Sequence, residues 1–328
     1  MLFGLFKPRT AAPPPAPVSA PRERADALLK RLDWTVIRRL DGLLQGDFRS
    51  LMRGSGLDLA DLREYQHHDD VRHIDWNVTA RMQVPHVRVF TEDREMTAWF
   101  LLDLSPSVDF GSGEQRKRNV SAEFVAVLAR LLTRHGNRVG AVLYGSGVER
   151  VLQPGSGRLH VLQLLHTLQN RPPGAETGGT RLHELLHTGA ATIRRRSTVF
   201  VVSDFISEPG WEQPLGMLAQ RHEVVAVRLF DPLERELPDL GLMPIRDAET
   251  GEQLMVDTSD PGFRRRFAQI AAQRETALRQ ALVKAGVDAL ELSTQGDLVD
   301  AVMRFADLRK RRSRLSGASV PAHLQQAA

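Results

Sequence analysis

Residues 97–105, TAWFLLDLS, decide the fold of this chain. Five consecutive apolar residues are followed at once by an aspartate and then by a serine two positions later. A short apolar run that ends in this way is typical of a strand covered on both faces of a parallel sheet. Residues 116–135 follow and place apolar side chains at helical spacing, as a crossover between parallel strands requires.

The alternation of strand and helix continues along the chain. The patterns predict further strands at 138–145, 148–152 (an edge strand), 198–203, 223–229 and 289–292, and helices at 22–45, 159–168, 182–194, 263–285 and 297–308. Strands separated by helices need crossover connections. We therefore predict an α/β fold with a mainly parallel, Rossmann-like sheet and helices on both faces.

Oxygen-bearing residues follow two of the predicted strands and open one of the helices. Asp103, Ser105 and Ser107 follow the strand at 97–105, Asp204 follows the strand at 198–203, and Thr180 ends a Gly-Gly-Thr loop. In a parallel sheet, ligands bind at the carboxyl ends of the strands. Carboxylates and hydroxyls without imidazole or thiolate suit Mg²⁺ or Mn²⁺ rather than zinc, and the chain has no cysteine.

The spacing of the first three residues favours one shared ion. In Asp-x-Ser-x-Ser, alternate residues of an extended segment point the same way. If a sixth coordination position of the ion stays open, a carboxylate from another molecule could complete its octahedron. The alternative is ordinary turn chemistry, since Asp and Ser often follow strands.

The order Asp103-x-Ser105-x-Ser107, Thr180, Asp204 resembles the metal-ion-dependent adhesion site (MIDAS) of von Willebrand factor A domains. In that family the two serines and the threonine contact the ion, and the aspartates act directly or through water. The resemblance implies these roles for the five positions. Thr177 lies nearby and is the alternative to Thr180.

Motifs on both sides of these residues resemble the family catalogued as domain of unknown function 58, over about residues 24–305. The motifs are Arg63-Glu64-Tyr65, Asp69-Asp70-x-Arg72-x-Ile74-Asp75-Trp76, Thr79-Ala80-Arg81, Asp231-Pro232-x-Glu234, Leu237-Pro238 and Asp247-x-Glu249-Thr250-Gly251. His67-His68 departs from the proline–glycine turn expected there. The resemblance implies an adaptor associated with a MoxR-type AAA+ ATPase in chaperone-like or maturation work. Members of the family often have two N-terminal membrane helices, whereas this sequence looks like the soluble type.

The likeness and the composition divide the chain into four parts. They are a disordered, Pro/Ala-rich leader (1–21), an N-terminal helix with a family-specific subregion (22–95), the von Willebrand factor A-like domain (96–308) and a basic, flexible tail (309–328). No window approaches the ~20 apolar residues that a membrane span needs, and the N-terminus lacks a signal-peptide pattern. We expect a cytoplasmic protein.

Two other functions remain open from the residues alone. The run RKRRSR at 309–314 carries five positive charges, and removing it from a net charge of +4 leaves −1. Nucleic-acid binding through this run is therefore one alternative. The other is a metal-dependent hydrolase, because a bound ion can activate water. We do not expect an enzyme, because the sequence contains neither the Gly-x-Ser-x-Gly motif of a nucleophile elbow nor a phosphate-binding loop motif.

The segment before the main domain contains a cluster of histidines and aspartates. Imidazole with carboxylate suits zinc or iron, but neighbouring arginines favour a salt-bridged structural network instead. We expect Trp76 to be a packing anchor of this segment. The residues concerned are His67, His68, Asp69, Asp70, His73 and Asp75, with Arg63, Arg72 and Arg81.

Overall fold

The computed structural model describes residues 21–32, 36–37, 40, 61–66, 71, 74, 76–89, 96–170, 179–246 and 253–314. Its centre is a six-stranded sheet. The strands are β3 (Thr97–Asp103), β4 (Arg138–Tyr144), β5 (Val148–Gly155), β6 (Thr198–Ser203), β7 (Glu223–Phe230) and β10 (Asp288–Ser293). Two further antiparallel pairs join β1 (Asp61–Glu64) to β2 (His86–Val89) and β8 (Leu242–Arg246) to β9 (Gln253–Asp257).

The order of the strands in the central sheet is β10-β7-β6-β3-β4-β5. Counted in chain order within this sheet, that is 6-5-4-1-2-3, the order of doubly wound nucleotide-binding folds. All neighbouring pairs are parallel except β5, which runs antiparallel to β4 at the edge. The predicted fold class, a von Willebrand factor A-like α/β domain with a mainly parallel sheet, is confirmed.

Helices cover both faces of the sheet. They are α1 (Pro21–Leu32), α2 (Trp76–Met82), α3 (Lys117–Arg134), α4 (Gly157–Gln169), α5 (Leu182–Thr192), α6 (Glu212–Arg221), α7 (Pro261–Lys284) and α8 (Leu298–Arg314). Along β3, Phe100 and Leu102 face a core shared with α1, α3, α4 and α8, whereas Trp99 and Leu101 face a core shared with α5, α6 and α7. The apolar run that predicted β3 thus serves two cores at once, because successive side chains of a strand point to opposite faces.

One glycine sets how closely a helix approaches the sheet. A Cβ atom on Gly189 of α5 would lie 2.6 Å from Cδ1 of Leu101 on β3. Any larger residue must therefore displace the helix or the leucine. This contact holds α5, whose first residue follows Thr180 by two positions, against the strand that ends in Asp103.

The closing helix corrects the predicted start of the tail. We expected the helix to end at residue 308, but α8 continues through Arg314. The reason lies in the partners of Arg309, whose side chain is 9% exposed and pairs with Glu223 and Asp288. The first charge of the basic run is therefore used inside the domain.

Trp76 is also placed differently from our expectation. It is 70% exposed at the start of α2, so it is not a packing anchor in this structure. Helix α6 and the β8–β9 hairpin were not predicted. Pro214 and Gly216 interrupt the helical signal of α6. The hairpin strands carry apolar residues at consecutive positions, of which Leu242, Leu254 and Met255 are exposed, so the sequence lacks the alternation that marks a half-buried strand.

Several predictions fall outside the described residues. They concern the leader, the histidine–aspartate cluster, Thr177, Asp247-x-Glu249-Thr250-Gly251 and the end of the tail after Arg314. Among the helices in the described ranges, none combines the length and hydrophobicity that a transmembrane span requires.

Candidate metal centre

The two predicted carboxylates lie at the ends of neighbouring strands. Asp103 is the last residue of β3, and Asp204 directly follows β6. The strands are paired in parallel, with Leu102 opposite Val202, so both chains leave the sheet at the same edge. Asp103 is 0% exposed and Asp204 4% exposed, which places two carboxylates in a buried position at the carboxyl edge.

Asp103 is held by hydrogen bonds to both of its oxygens. Oδ1 accepts the backbone N–H of Ser105 at 3.0 Å, and Oδ2 accepts the hydroxyl of Ser203 at 2.6 Å. The N–H of Leu104 then donates to the carbonyl of Tyr144 on the neighbouring strand at 2.7 Å, which fastens the residue after Asp103 to β4. The carboxylate is thereby fixed in orientation before any ligand is added.

The two serines of the motif are brought together by the turn that follows. Ser107 lies in a short 3₁₀ helix, Pro106–Asp109, and its Oγ lies 3.1 Å from Oγ of Ser105. Both side chains are buried, at 3% and 1% exposure. The Asp-x-Ser-x-Ser spacing therefore gathers one carboxylate and two hydroxyls within a few residues, as the sequence predicts.

The surroundings of Asp103 disfavour the ionised form of its carboxyl group. Burial is the larger cause and the negative charge of Asp204 the second, and together they raise the pKa of its carboxyl group to about 6. The hydrogen bonds from Ser203 and Ser105 act against this rise. A positive charge placed beside Asp103 would offset the cost of its ionised form.

The backbone after Asp204 has an unusual conformation. Phe205 has φ +59, in the left-handed region that non-glycine residues rarely adopt. This turn lets the N–H of Phe205 donate to Oγ of Ser203 at 2.9 Å and the N–H of Ile206 donate to Oδ1 of Asp204 at 3.0 Å. The Phe205 ring packs against Trp211 at 5.3 Å between centroids, which helps to hold the turn.

Thr180 is fastened to the same edge through its backbone. Its carbonyl accepts the hydroxyl of Ser207 at 2.7 Å and the N–H of Glu208 at 2.9 Å, and its side chain is buried. Ser207 in turn accepts the N–H of Leu182 at 3.0 Å, at the start of α5. The loop that carries Thr180 is thus tied to the segment after Asp204, and all five predicted residues lie at this edge.

A buried lysine, absent from the sequence prediction, contacts the site. Nζ of Lys117 lies 2.7 Å from Oδ2 of Asp204 and 2.5 Å from Oε1 of Glu234, and the lysine side chain is 1% exposed. Burial by itself would lower the pKa of Lys117, but the carboxylates of Asp204 and Glu234 outweigh it and raise the pKa, so the ammonium is charged. One signal was available in the sequence, because a positive charge in the first turn of a helix is normally unfavourable.

Glu234 is held by the Asp231-Pro232-x-Glu234 motif. Asp231 and Glu234 form a capping box around a short 3₁₀ helix, in which Oε2 of Glu234 accepts the N–H of Asp231 at 3.1 Å. The buried Asp231 carboxylate accepts the N–H of Leu233, the N–H of Ser112 and the hydroxyl of Thr294. The motif therefore ties three loops together behind Lys117.

The donor set fits a hard divalent cation. Asp103, Ser105, Ser107, Thr180 and Asp204 contribute only carboxylate and hydroxyl oxygens, the ligands that Mg²⁺ and Mn²⁺ prefer. In the ranges described, no cluster of three or more His, Cys, Asp or Glu side chains is placed to hold a metal ion without hydroxyl ligands. Any ion at this edge would depend on the hydroxyls as much as on the carboxylates.

The sheet order and its antiparallel edge strand define a von Willebrand factor A-like domain.

A family model described as "Protein of unknown function DUF58" matches residues 61–277, and the chain belongs to this family. Uncharacterized protein Mb1516 of Mycobacterium bovis is 35% identical over 285 residues, covering 87% of this chain and 90% of the relative. Uncharacterized protein Rv1480 of Mycobacterium tuberculosis matches with the same values.

Comparison with solved structures finds more distant likenesses. An aerotolerance-related membrane protein from Bacteroides fragilis aligns with a TM-score of 0.38 and 13% identity, over 58% of this chain and 99% of that chain. The conserved hypothetical protein BatB from Bacteroides thetaiotaomicron aligns with a TM-score of 0.35 and 14% identity, over 58% and 98% of the two chains.

Proposed function

We propose that this protein is a binding module that uses one Mg²⁺ or Mn²⁺ ion to recognise a partner protein. Asp103, Ser105, Ser107, Thr180 and Asp204 would hold the ion. The observation that carries the proposal is the meeting of Asp103, two buried hydroxyls and Asp204 at the ends of adjacent parallel strands. When bound, the ion would supply a coordination position for an anionic group of the partner.

The roles of the residues follow from their contacts. Asp103 is oriented by Ser203 and by the N–H of Ser105, so it meets a cation without rearrangement. The raised pKa of Asp103 supports the same conclusion, because a divalent ion would remove the repulsion between the two carboxylates. A carboxylate of the partner is the chemistry that a hard cation with an open position recognises.

The partner that we propose is a MoxR-type AAA+ ATPase, for which this chain would act as an adaptor. Membership of the DUF58 family supports this proposal, through the association that the resemblance implies. The basic run does not favour nucleic acid over a protein partner, because Arg309 is paired within the domain. We therefore propose a protein partner rather than nucleic acid.

Calorimetry of Mg²⁺ binding tests the metal. EDTA-stripped wild type should bind Mg²⁺, and Asp103→Asn should not, because the variant removes a charged ligand but keeps the shape of the side chain. Asp288→Asn is the matched control, since Asp288 is also buried but lies at the first residue of β10, on the opposite edge of the sheet. Equal Mg²⁺ binding by wild type and Asp103→Asn would refute the metal centre.

A pull-down tests the partner. The full chain should retain a purified MoxR-type AAA+ ATPase in Mg²⁺ and lose it in EDTA, and Asp103→Asn should fail in both conditions. Asp288→Asn should behave as wild type. Retention that is the same in Mg²⁺ and in EDTA would show that recognition does not use the ion.

A further inference from the structure

Lys117 is a buried cation in direct contact with a proposed metal ligand, and nothing in the binding proposal requires it. We propose that Lys117, held by Glu234, is a positioning residue that weakens cation affinity at the metal centre and keeps Asp204 stable without metal. This inference rests on the proposed function, since it concerns the same site. It assigns a role to two residues outside the five that resemble the adhesion site.

The contacts of Asp204 show how the lysine acts. Oδ2 accepts from the Lys117 ammonium at 2.7 Å, and Oδ1 accepts from the N–H of Ile206 at 3.0 Å. The aspartate is therefore satisfied before any ion arrives, whereas Asp103 receives its hydrogen bonds, among the described residues, from uncharged groups of Ser105 and Ser203. An ion at this edge would meet one fully ionic ligand, Asp103, and one carboxylate whose charge is already shared with an ammonium.

The balance of charge predicts the direction of the effect. Asp103, Asp204 and Glu234 carry three negative charges and Lys117 one positive charge, which gives −3 + 1 = −2 for the cluster. A divalent cation neutralises this cluster. Removing the lysine charge would leave −3 and attract a cation more strongly, and removing the Glu234 charge would leave −1 and attract it less.

The lysine cannot avoid this position by moving into solvent. Its side chain is 1% exposed, and the ring of Phe110 lies 5.9 Å from Nζ. Glu234, its second partner, is fixed by the N–H of Asp231, whose own carboxylate is held by Thr294 at 2.6 Å. A buried charge held at both sides contributes its full field at short range, because little water screens it.

The placement is also unfavourable in itself, which sets it apart from a surface ion pair. Lys117 is the first residue of α3, where the helix dipole disfavours a positive charge, and burial of an ammonium is costly without paired carboxylates. Two carboxylates compensate it here. A surface pair would have little influence on a neighbouring ion because solvent screens it.

The test compares Lys117→Gln with Glu234→Gln in the full chain. Mg²⁺ affinity is measured by calorimetry, and the unfolding of the metal-free protein by urea with and without Mg²⁺. Lys117→Gln should bind Mg²⁺ tighter by roughly tenfold, and Glu234→Gln weaker by roughly tenfold. Lys117→Gln should lose stability in EDTA and regain much of it in Mg²⁺, whereas Glu234→Gln should not.

The opposite changes expected in Mg²⁺ affinity distinguish an electrostatic effect on the ion from simple destabilisation of the fold. Arg309→Gln is the matched control, because it also removes a buried ion pair but lies with Glu223 and Asp288 at the amino-terminal edge of the sheet. It should destabilise the protein and leave Mg²⁺ affinity unchanged. If Lys117→Gln does not fold, Glu234→Gln decides alone, since its side chain is partly exposed.

Two results would overturn the inference. One is Mg²⁺ affinity that is unchanged or weaker in Lys117→Gln, and the other is affinity that is unchanged or tighter in Glu234→Gln. If wild type binds Mg²⁺ and Asp103→Asn does not, either result refutes the role of Lys117 alone. Wild type that does not bind Mg²⁺ refutes the proposed function and this inference with it.

Discussion

Replacing Asp103 by asparagine should make the metal-free protein more stable at neutral pH and remove its response to Mg²⁺. Asparagine keeps the shape of the side chain and removes the charge that burial and Asp204 oppose. Its hydrogen bonds can be preserved. The Asn oxygen can accept the N–H of Ser105, and its amide can donate to Oγ of Ser203, which has accepting capacity left.

The size of the effect follows from the pKa of Asp103. A value of about 6 instead of 3.8 corresponds to about 3 kcal/mol of lost stability when the carboxyl group is fully ionised. Because the pKa in the folded protein lies above the unfolded value, the folded state holds its proton more tightly. The stability due to this group is therefore fully present below about pH 4 and is lost as the pH rises through 6.

The expected advantage of Asp103→Asn thus depends on pH. Removing the charge should raise the free energy of unfolding by at most about 3 kcal/mol at pH 7.5 and by about half of that at pH 5. At both pH values, ~1 kcal/mol is subtracted because hydrogen bonds to the neutral side chain are weaker. Urea unfolding in EDTA at the two pH values measures it for both proteins. In Mg²⁺ at 100 times the dissociation constant, wild type should gain about 2.7 kcal/mol and the variant nothing.

Two outcomes would refute this reasoning. The first is an asparagine variant that is less stable than wild type by the same amount at both pH values, because then the charge of Asp103 is not under strain. The second is equal stabilisation of both proteins by Mg²⁺, because then Asp103 does not hold the ion.

Two further pairs of substitutions test the packing of α5 against β3 and of the end of α8 against the sheet. Gly189→Ala should lower the free energy of unfolding by about 1–3 kcal/mol, because its Cβ would lie 2.6 Å from Leu101. Gly216→Ala is the control, because the nearest heavy atom to its Cβ lies at 4.0 Å. It should leave the free energy of unfolding unchanged or raise it by up to about 1 kcal/mol. Equal urea midpoints for the two variants would contradict the close approach of α5 to β3. Arg309→Ala should lower the free energy of unfolding by about 3 kcal/mol, whereas Arg311→Ala, at an exposed position, should lower it by less than about 0.5 kcal/mol. Similar shifts of the melting temperature for the two variants would mean that the end of α8 is not packed on the domain.

The capping box at Asp231 shows how a motif can be visible in a sequence without its purpose being visible. Asp231-Pro232-x-Glu234 was notable only as a family likeness. In the structure it fixes Glu234, which holds Lys117, which holds Asp204. The chain of contacts connects a conspicuous motif to the candidate site across two ion pairs.

The sequence by itself determined the sheet, most of its crossover helices and the five candidate ligands. These features are local, because an apolar run with its terminating aspartate marks a buried parallel strand, and the spacing in Asp103-x-Ser105-x-Ser107 gathers its oxygens within one turn. Only the tertiary structure decided the partners of Lys117 and Arg309. Their carboxylates lie 87, 117 and 86 residues away along the chain at Asp204, Glu234 and Glu223, and no local pattern records which distant charge a folded sheet brings within 3 Å.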